Sequence, residues 1–304
     1  MKKQPLAYFS LAIVAVFWGT TYLAVRIGVA DFPPFLFSAI RQVAAGLLLF
    51  GLLYLLKKNE PLTGRAIAQQ IIPGILLITL GNGVIGWSER FIPSGLAALI
   101  VSVLPVYICI ISLINGRERN LGMRTVAGLF MGCVGILLIF KDNIKDLGRH
   151  EYLWGVLACF GASLFWAIGS VYMKTNSFTT NAYTNAAIQF TSGGIGLFIA
   201  SLLFDDYTHL GMVSNASLWA LVYLTLVGSL LGYIAYLYAI EHLPIVVVAT
   251  YAYINPVIAI VLGVLLLNEP ITIITLLALA TTLYGVYLIN SAYRKIIKEK
   301  DNER

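Results

Sequence analysis

Few residues of this sequence could do chemistry, and those few stand out because their surroundings are apolar. Arg41 is set seven residues into the apolar segment 34–56, roughly 10 Å deep at 1.5 Å per helical residue. A guanidinium at the centre of a bilayer costs about 2.5–3.5 kcal/mol on insertion scales. Two outcomes are open: the side chain snorkels to the external surface, or it faces the interior and meets an anion, either a solute carboxylate or a protein partner. Asn82 sits among Gly81, Gly83 and Gly86, and its amide needs a partner inside lipid. A helix–helix hydrogen bond and a ligand contact are both open. Trp18 and Trp166 fall near the middle of their segments rather than at the interface, the usual home of tryptophan. They either line a pocket, offering flat faces and an N–H donor, or pack as ordinary core. Tyr233, Tyr236, Tyr238, Tyr251 and Tyr253 crowd one stretch. Tyr233 and Tyr236 share a helix face at i,i+3 and with Asn255 could form a polar, aromatic wall; Tyr233 and Tyr253 are the expected cavity-lining tyrosines.

A second group of residues suggests movement rather than contact. Pro105 and Pro256 interrupt apolar segments, where proline removes a backbone hydrogen bond and kinks the helix; a hinge is the functional alternative. Glu89 precedes Arg90 at the external end of the third segment, as a surface ion pair or as part of an outer gate. Glu269 takes the corresponding place at a helix end on the other side. No Asp or Glu falls at mid-membrane, so proton coupling has no clear seat, which favours facilitated diffusion or exchange. These candidates describe a binding site, not a reaction. The three histidines lie in loops or at segment ends, and the three cysteines lie in apolar runs without a CxxC pair. No catalytic constellation, metal site, disulfide framework or cofactor is expected from them.

The elements that must position these side chains follow from composition. Of 304 residues, 59% are hydrophobic and 11% charged, with a mean hydropathy of +0.86. Soluble domains carry about 25% charge, so the chain reads as an all-α membrane protein. Ten apolar segments can be placed, at approximately 6–27, 34–56, 68–88, 93–115, 122–140, 152–174, 181–203, 217–239, 244–267 and 272–293. Each is near the roughly 20 residues a transmembrane helix needs, and strand-like alternation is absent. With the N-terminus inside, fourteen Lys and Arg fall on the cytoplasmic side and four, Arg90, Lys141, Lys145 and Arg149, on the other. The positive-inside rule then places both termini in the cytoplasm. The formal net charge of +6 has the same origin and is not a nucleic-acid footprint. The partners expected are a small solute and the lipid bilayer, with no nucleic acid; a homodimer is left open.

The segments repeat. Residues 81–118 return at 232–269 with an offset of 151, pairing Asn82 with Tyr233, Pro105 with Pro256 and Glu118 with Glu269. Earlier segments align at an offset of 148, where Phe17-Trp18 meets Phe165-Trp166 and Arg41 meets Gln189. Gln189 thereby joins the substrate-binding candidates. Five segments precede the loop 141–151 and five follow it, so the second copy enters the membrane from the opposite side. The expected organisation is a first five-helix repeat over 6–140, an external loop over 141–151, a second repeat over 152–293 and a basic cytoplasmic tail over 294–304. Inverted repeats place the solute near mid-membrane at their interface.

With FWGTTYLAVR at 17–26, SGLAALIVSVLPVY at 94–107, FWAIGSVYMK at 165–174, LPIVVVATYAYINPV at 243–257 and LLNEPIT at 266–272, the chain resembles the EamA-type drug/metabolite transporter superfamily. The resemblance covers about residues 8–290. It implies ten helices and export or exchange of small metabolites, often amino acids or related compounds, across a bacterial inner membrane. Alternating access would be the mechanism, and efflux of toxic amphipathic compounds is the alternative. One departure is local: Arg117-Glu118-Arg119 stands where the second copy has Asn268-Glu269-Pro270. A membrane enzyme or a receptor is not expected.

Overall fold

Backbone groups inside lipid must be satisfied within their own segment, and the chain meets that requirement with helices. A computed structural model describes residues 3–58, 60–115, 122–142, 148–208, 210–268 and 271–302. Glu269 lies outside the described residues, as do residues 143–147 of the expected external loop. The helices are α1 (Lys3–Gly28), α2 (Pro34–Leu55), α3 (Gly64–Ser88), α4 (Ser94–Ile114) and α5 (Met123–Asp142), then α6 (His150–Thr175), α7 (Ala182–Phe204), α8 (Asn215–His242), α9 (Ile245–Leu267) and α10 (Ile273–Asn302). Eight of these are long and apolar enough to cross a membrane; α5 and α10 carry shorter apolar stretches, Met123–Gly135 and Ile273–Ile289. No strand occurs among the described residues.

Two long helices change their winding part-way. Gly74–Gly83 of α3 and Leu224–Leu231 of α8 are π-helical, a wider i→i+5 turn that is uncommon and often marks functional sites. Two others are interrupted: α4 breaks at Ser102–Val103, just ahead of Pro105, and α9 breaks at Ala249–Thr250, six residues ahead of Pro256. α9 ends on Asn268 in the left-handed conformation, φ 54°, which asparagine tolerates better than most side chains.

Helix ends are held by side chains from distant parts of the sequence. Asp205, just after α7, accepts the main-chain N–H of Phe35 (3.3 Å) and Leu36 (2.7 Å) at the start of α2. Asp31, just after α1, accepts the N–H of Ser214 at 3.1 Å and the Ser217 hydroxyl at the start of α8. Each carboxylate satisfies orphan donors and opposes the positive end of a helix dipole. On the other face, the Lys174 ammonium donates to the carbonyls of Ile240 (2.7 Å) and Leu243 (3.0 Å), closing the C-terminal end of α8.

Small residues set the tightest packing. α2 lies along α7 and α5 along α10. A Cβ added at Gly194 would meet Val43 Cγ2 at 2.7 Å, and one at Gly285 would meet the Gly128 carbonyl at 2.6 Å. Close backbone approach of this kind is how helices associate in lipid. Leu47, Leu48, Leu52, Phe198 and Leu202 point outward and are exposed, as a lipid-facing surface requires. Inside, α1 packs on α8 and α9, while α6 packs on α3 and α4, and the candidate residues lie where these groups meet.

Partial burial pushes the Asp31 carboxyl upward, but hydrogen bonds from Ser217 and Ser214 outweigh it and hold the group below its ordinary value. A carboxylate with a lowered folded value stabilises fully above its unfolded value and loses that contribution as pH falls through the folded one. Asp31→Asn is expected to cost about 0.5–2 kcal/mol, as loss of a helix cap does. Unfolding midpoints of both proteins in detergent, measured from pH 7 downward, should differ by a constant amount until pH approaches about 4 and then converge. A gap independent of pH would show that the charge is not involved.

Candidate functional site

Arg41 does not snorkel. It is 4% exposed, and its side chain is held inside the bundle by a closed ring of four polar residues. Arg41 Nε donates to Ser229 Oγ (3.0 Å) and its Nη1 to Asn82 Oδ1 (3.4 Å). Gln42 Nε2 donates to the same Asn82 oxygen (3.1 Å), and the Ser229 hydroxyl donates to Gln42 Oε1 (3.1 Å). Asn82 is presented by the π-helical stretch of α3 and Ser229 by that of α8. Two of the five guanidinium donors are therefore engaged, both on neutral oxygens.

The ring opens onto a cavity with about 60 Å³ of free space. Below Arg41 its floor is aromatic. Trp18 and Trp166 meet edge to face at 5.4 Å, Trp18 and Tyr251 at 5.0 Å, and Phe190 lies 4.9 Å from Tyr233. Trp18 Nε1 donates to the Gly228 carbonyl at 2.9 Å, inside the π-helical stretch. The Trp166 indole N–H is buried against Tyr236. With its amide turned to the orientation in which both atoms find partners, Asn255 donates to the carbonyls of Ala15 (2.9 Å) and Tyr251 (3.1 Å), tying α9 to α1.

Gln189 is behind this floor rather than in it. The Tyr233 hydroxyl donates to Gln189 Oε1 at 2.5 Å, while Gln189 Nε2 donates to Gln70 Oε1 and Met173 Sδ. Met173 belongs to a second cavity of about 670 Å³, lined also by Lys174, Asn181, Asn185, Glu241 and His242. Gln189 thus links a residue of one cavity to a residue of the other.

Trp18, Arg41, Asn82, Glu89, Trp166, Tyr233 and Asn255 all line the first cavity. Tyr253 does not: its hydroxyl lies against Gly132 of α5, where an added Cβ would meet it at 3.1 Å. The reason is helical phase. Tyr251 and Asn255 are i,i+4 and share a face, whereas Tyr253 points the other way; Tyr251 is the lining residue. Glu89 is also not the surface ion pair that its place beside Arg90 suggested, being 1% exposed while Arg90 is exposed. Sequence reasoning missed Gln42, Ser229, Thr21 and Tyr22 in the lining. Gln42 had a usable signal, an amide in an apolar segment. Serine and threonine had none, since in helices they commonly bond their own backbone. Among the described residues no three His, Cys, Asp or Glu gather as a metal site would require.

A profile of the EamA-like transporter family matches residues 5–141 and 153–291. The chain belongs to this family. It is 32% identical over 286 residues to the uncharacterized inner membrane transporter YedA of Escherichia coli strain K12, covering 93% of this chain and 89% of that protein. It is 24% identical over 288 residues to the uncharacterized transporter YoaV of Bacillus subtilis strain 168, covering 95% and 97%. A solved crystal structure superposes with a TM-score of 0.75 at 18% identity, over 95% of this chain and 98% of that one, which supports the fold alone. The family's members are named as transporters, and this chain is a multi-pass membrane transporter of the EamA type, not an enzyme.

The ring makes a stability prediction independent of transport. Asn82→Leu removes the acceptor shared by Arg41 and Gln42 and should cost about 1–3 kcal/mol, the usual penalty for stranding buried donors. Thermal unfolding in detergent reads it. An unchanged midpoint would mean that the ring does not hold Arg41.

Proposed function

We propose that the chain is a secondary transporter that exports or exchanges small metabolites, amino acids or related compounds, across the inner membrane by alternating access. The observation that carries this reading is the buried Arg41 guanidinium, with free donors and only neutral oxygens bound to it, opening on a cavity walled by aromatic rings. A carboxylate fits a planar fork of donors with two parallel hydrogen bonds. The aromatic faces suit an apolar side chain. The guanidinium fork gives a carboxylate-bearing metabolite a contact that a cationic amphipathic compound would not use, which sets metabolite transport above toxic-compound efflux.

The proposed architecture is ten spans in two inverted five-helix repeats, over 6–140 and 152–293, with both termini cytoplasmic. Three features support it. The family profile matches the chain twice. The π-helical stretches of α3 and α8 fall at equivalent places, and α4 and α9 are each broken ahead of a proline. A carboxylate after α7, Asp205, caps the start of α2, and one after α2, Glu60, accepts the N–H of Asn181 at the start of α7. Rocking of one repeat against the other would open the cavity to one side at a time, with Pro105 and Pro256 as hinges and the Tyr233–Gln189 bond as part of the closed side.

Purified protein in liposomes, assayed by counterflow over a panel of radiolabelled amino acids, tests this. Arg41→Ala is expected to lower flux at least about tenfold, the effect of losing one charge-assisted contact, with reconstituted protein unchanged. Pro256→Ala should slow flux with insertion intact. Flux for no panel member would sink the amino-acid reading, and an equal fall in flux and in protein would reassign Arg41 to folding.

A further inference from the structure

The cavity has a second charged side chain that the transport reading above does not use. Arg41 and Glu89 are the charged residues of its lining, and Glu89 is 1% exposed. Its main chain is fixed at the end of α3: its N–H donates to the Ile85 carbonyl at 3.1 Å, and the half-buried Arg26 guanidinium of α1 donates to its carbonyl oxygen. Tyr22 of α1 and Cys159 of α6 lie within electrostatic reach of its carboxylate, as does Arg41 of α2. The phenol and the thiol are neutral at physiological pH, so the charges facing Glu89 are the two guanidinium groups.

We propose that Glu89 is the second pole of the binding site: it receives the ammonium group of the solute while Arg41 receives the carboxylate, so the site selects α-amino acids over plain acids and plain amines. This rests on the reading of Arg41 as the carboxylate anchor. The physical basis is charge balance in a poorly hydrated space. Ions removed from water lose several kcal/mol of solvation each, which only a well-placed opposite charge restores. A zwitterion laid between Arg41 and Glu89 meets an opposite charge at each end and adds no net charge. A plain carboxylate on Arg41 brings a like charge toward Glu89, and a plain amine on Glu89 does the same toward Arg41. Either analogue meets only one of the two opposite charges that the amino acid meets, and differences of this kind are where polar sites discriminate most strongly. The aromatic floor of Trp18, Trp166, Phe190 and Tyr233 faces the side chain.

The test is equilibrium binding to the purified full-length chain in detergent, read by tryptophan fluorescence, since Trp18 and Trp166 line the cavity. The probes are matched sets: L-alanine with propionate and ethylamine, L-leucine with 4-methylpentanoate and 3-methylbutylamine, L-phenylalanine with 3-phenylpropionate and phenethylamine. Within at least one set the amino acid should bind at least about tenfold more tightly than both analogues. Glu89→Gln should abolish that preference by weakening the amino acid, leaving the plain acid equal or improved. Glu89→Asp, which keeps the charge on a shorter arm, should retain part of the preference and serves if the Gln variant does not fold. Wild-type protein that binds a plain acid as tightly as its amino acid overturns the proposal, and so does binding of none of the three amino acids. A plain acid that binds with uptake of one proton, measured in buffers of different ionisation enthalpy, also overturns it and makes Glu89 a proton site. Arg41→Gln separates the two readings. If it weakens amino acid and plain acid alike while Glu89→Gln changes neither, the Arg41 anchor stands and the Glu89 role falls. If Arg41→Gln changes no probe, the anchor itself is lost.

Discussion

A guanidinium inside an apolar bundle must be solvated by the protein, and that requirement organises this structure. Arg41 cannot be neutralised under physiological conditions, so its burial demands oxygens placed around it. The ring of Ser229, Gln42 and Asn82 supplies them. Two of these residues come from π-helical stretches, in helices separated by much of the chain. The ring therefore ties α2 to α3 and α8 at one point. Because its oxygens are neutral, it holds the guanidinium without cancelling the charge. What remains is a positive group facing a small cavity, kept in place by contacts that a solute need not displace.

The surroundings of the ring serve the same arrangement. The packed indoles and phenols of α1, α6, α8 and α9 close the cavity on one side, and each is braced by a polar contact or by another ring. Trp18 is tied to the Gly228 carbonyl, Tyr236 to Ser170 and Tyr233 to Gln189. Gln189 then reaches Met173, a lining residue of the second cavity. Only a few side chains separate the two cavities. Packing in lipid supplies little hydrophobic drive, so a hydrogen bond such as Tyr233–Gln189 counts for more there than a further apolar contact would.

Much of the fold was legible in the sequence, because lipid leaves the backbone few choices. Composition and segment length pointed to an all-helical multi-span protein, and eight of the ten expected segments form helices that meet the spanning criteria. The site was legible wherever a polar or ionic side chain interrupts an apolar run, since such residues are costly in lipid and therefore informative. Arg41 and Asn82 were found in this way. Ser229 was not, because a serine in a span usually bonds its own helix, and the π-helical winding that aims it at Arg41 leaves no mark in composition. The choice of Tyr253 over Tyr251 failed on phase: both are aromatic, they are two residues apart, and only one can face the cavity. Glu89 was read as a surface ion pair or part of an outer gate because it ends a segment next to Arg90. Its burial depends on α1, which lies over it through Arg26, a tertiary contact that spacing does not encode.

The central claim is that the solute's carboxylate sits on Arg41. A structure determined with a transported amino acid bound addresses it most directly. The carboxylate should lie within about 3 Å of the Arg41 guanidinium nitrogens, as charge-assisted hydrogen bonds do, with the Ser229–Gln42–Asn82 ring intact behind it. Solute density in the cavity with its carboxylate turned away from Arg41, or density confined to the second cavity, would contradict it.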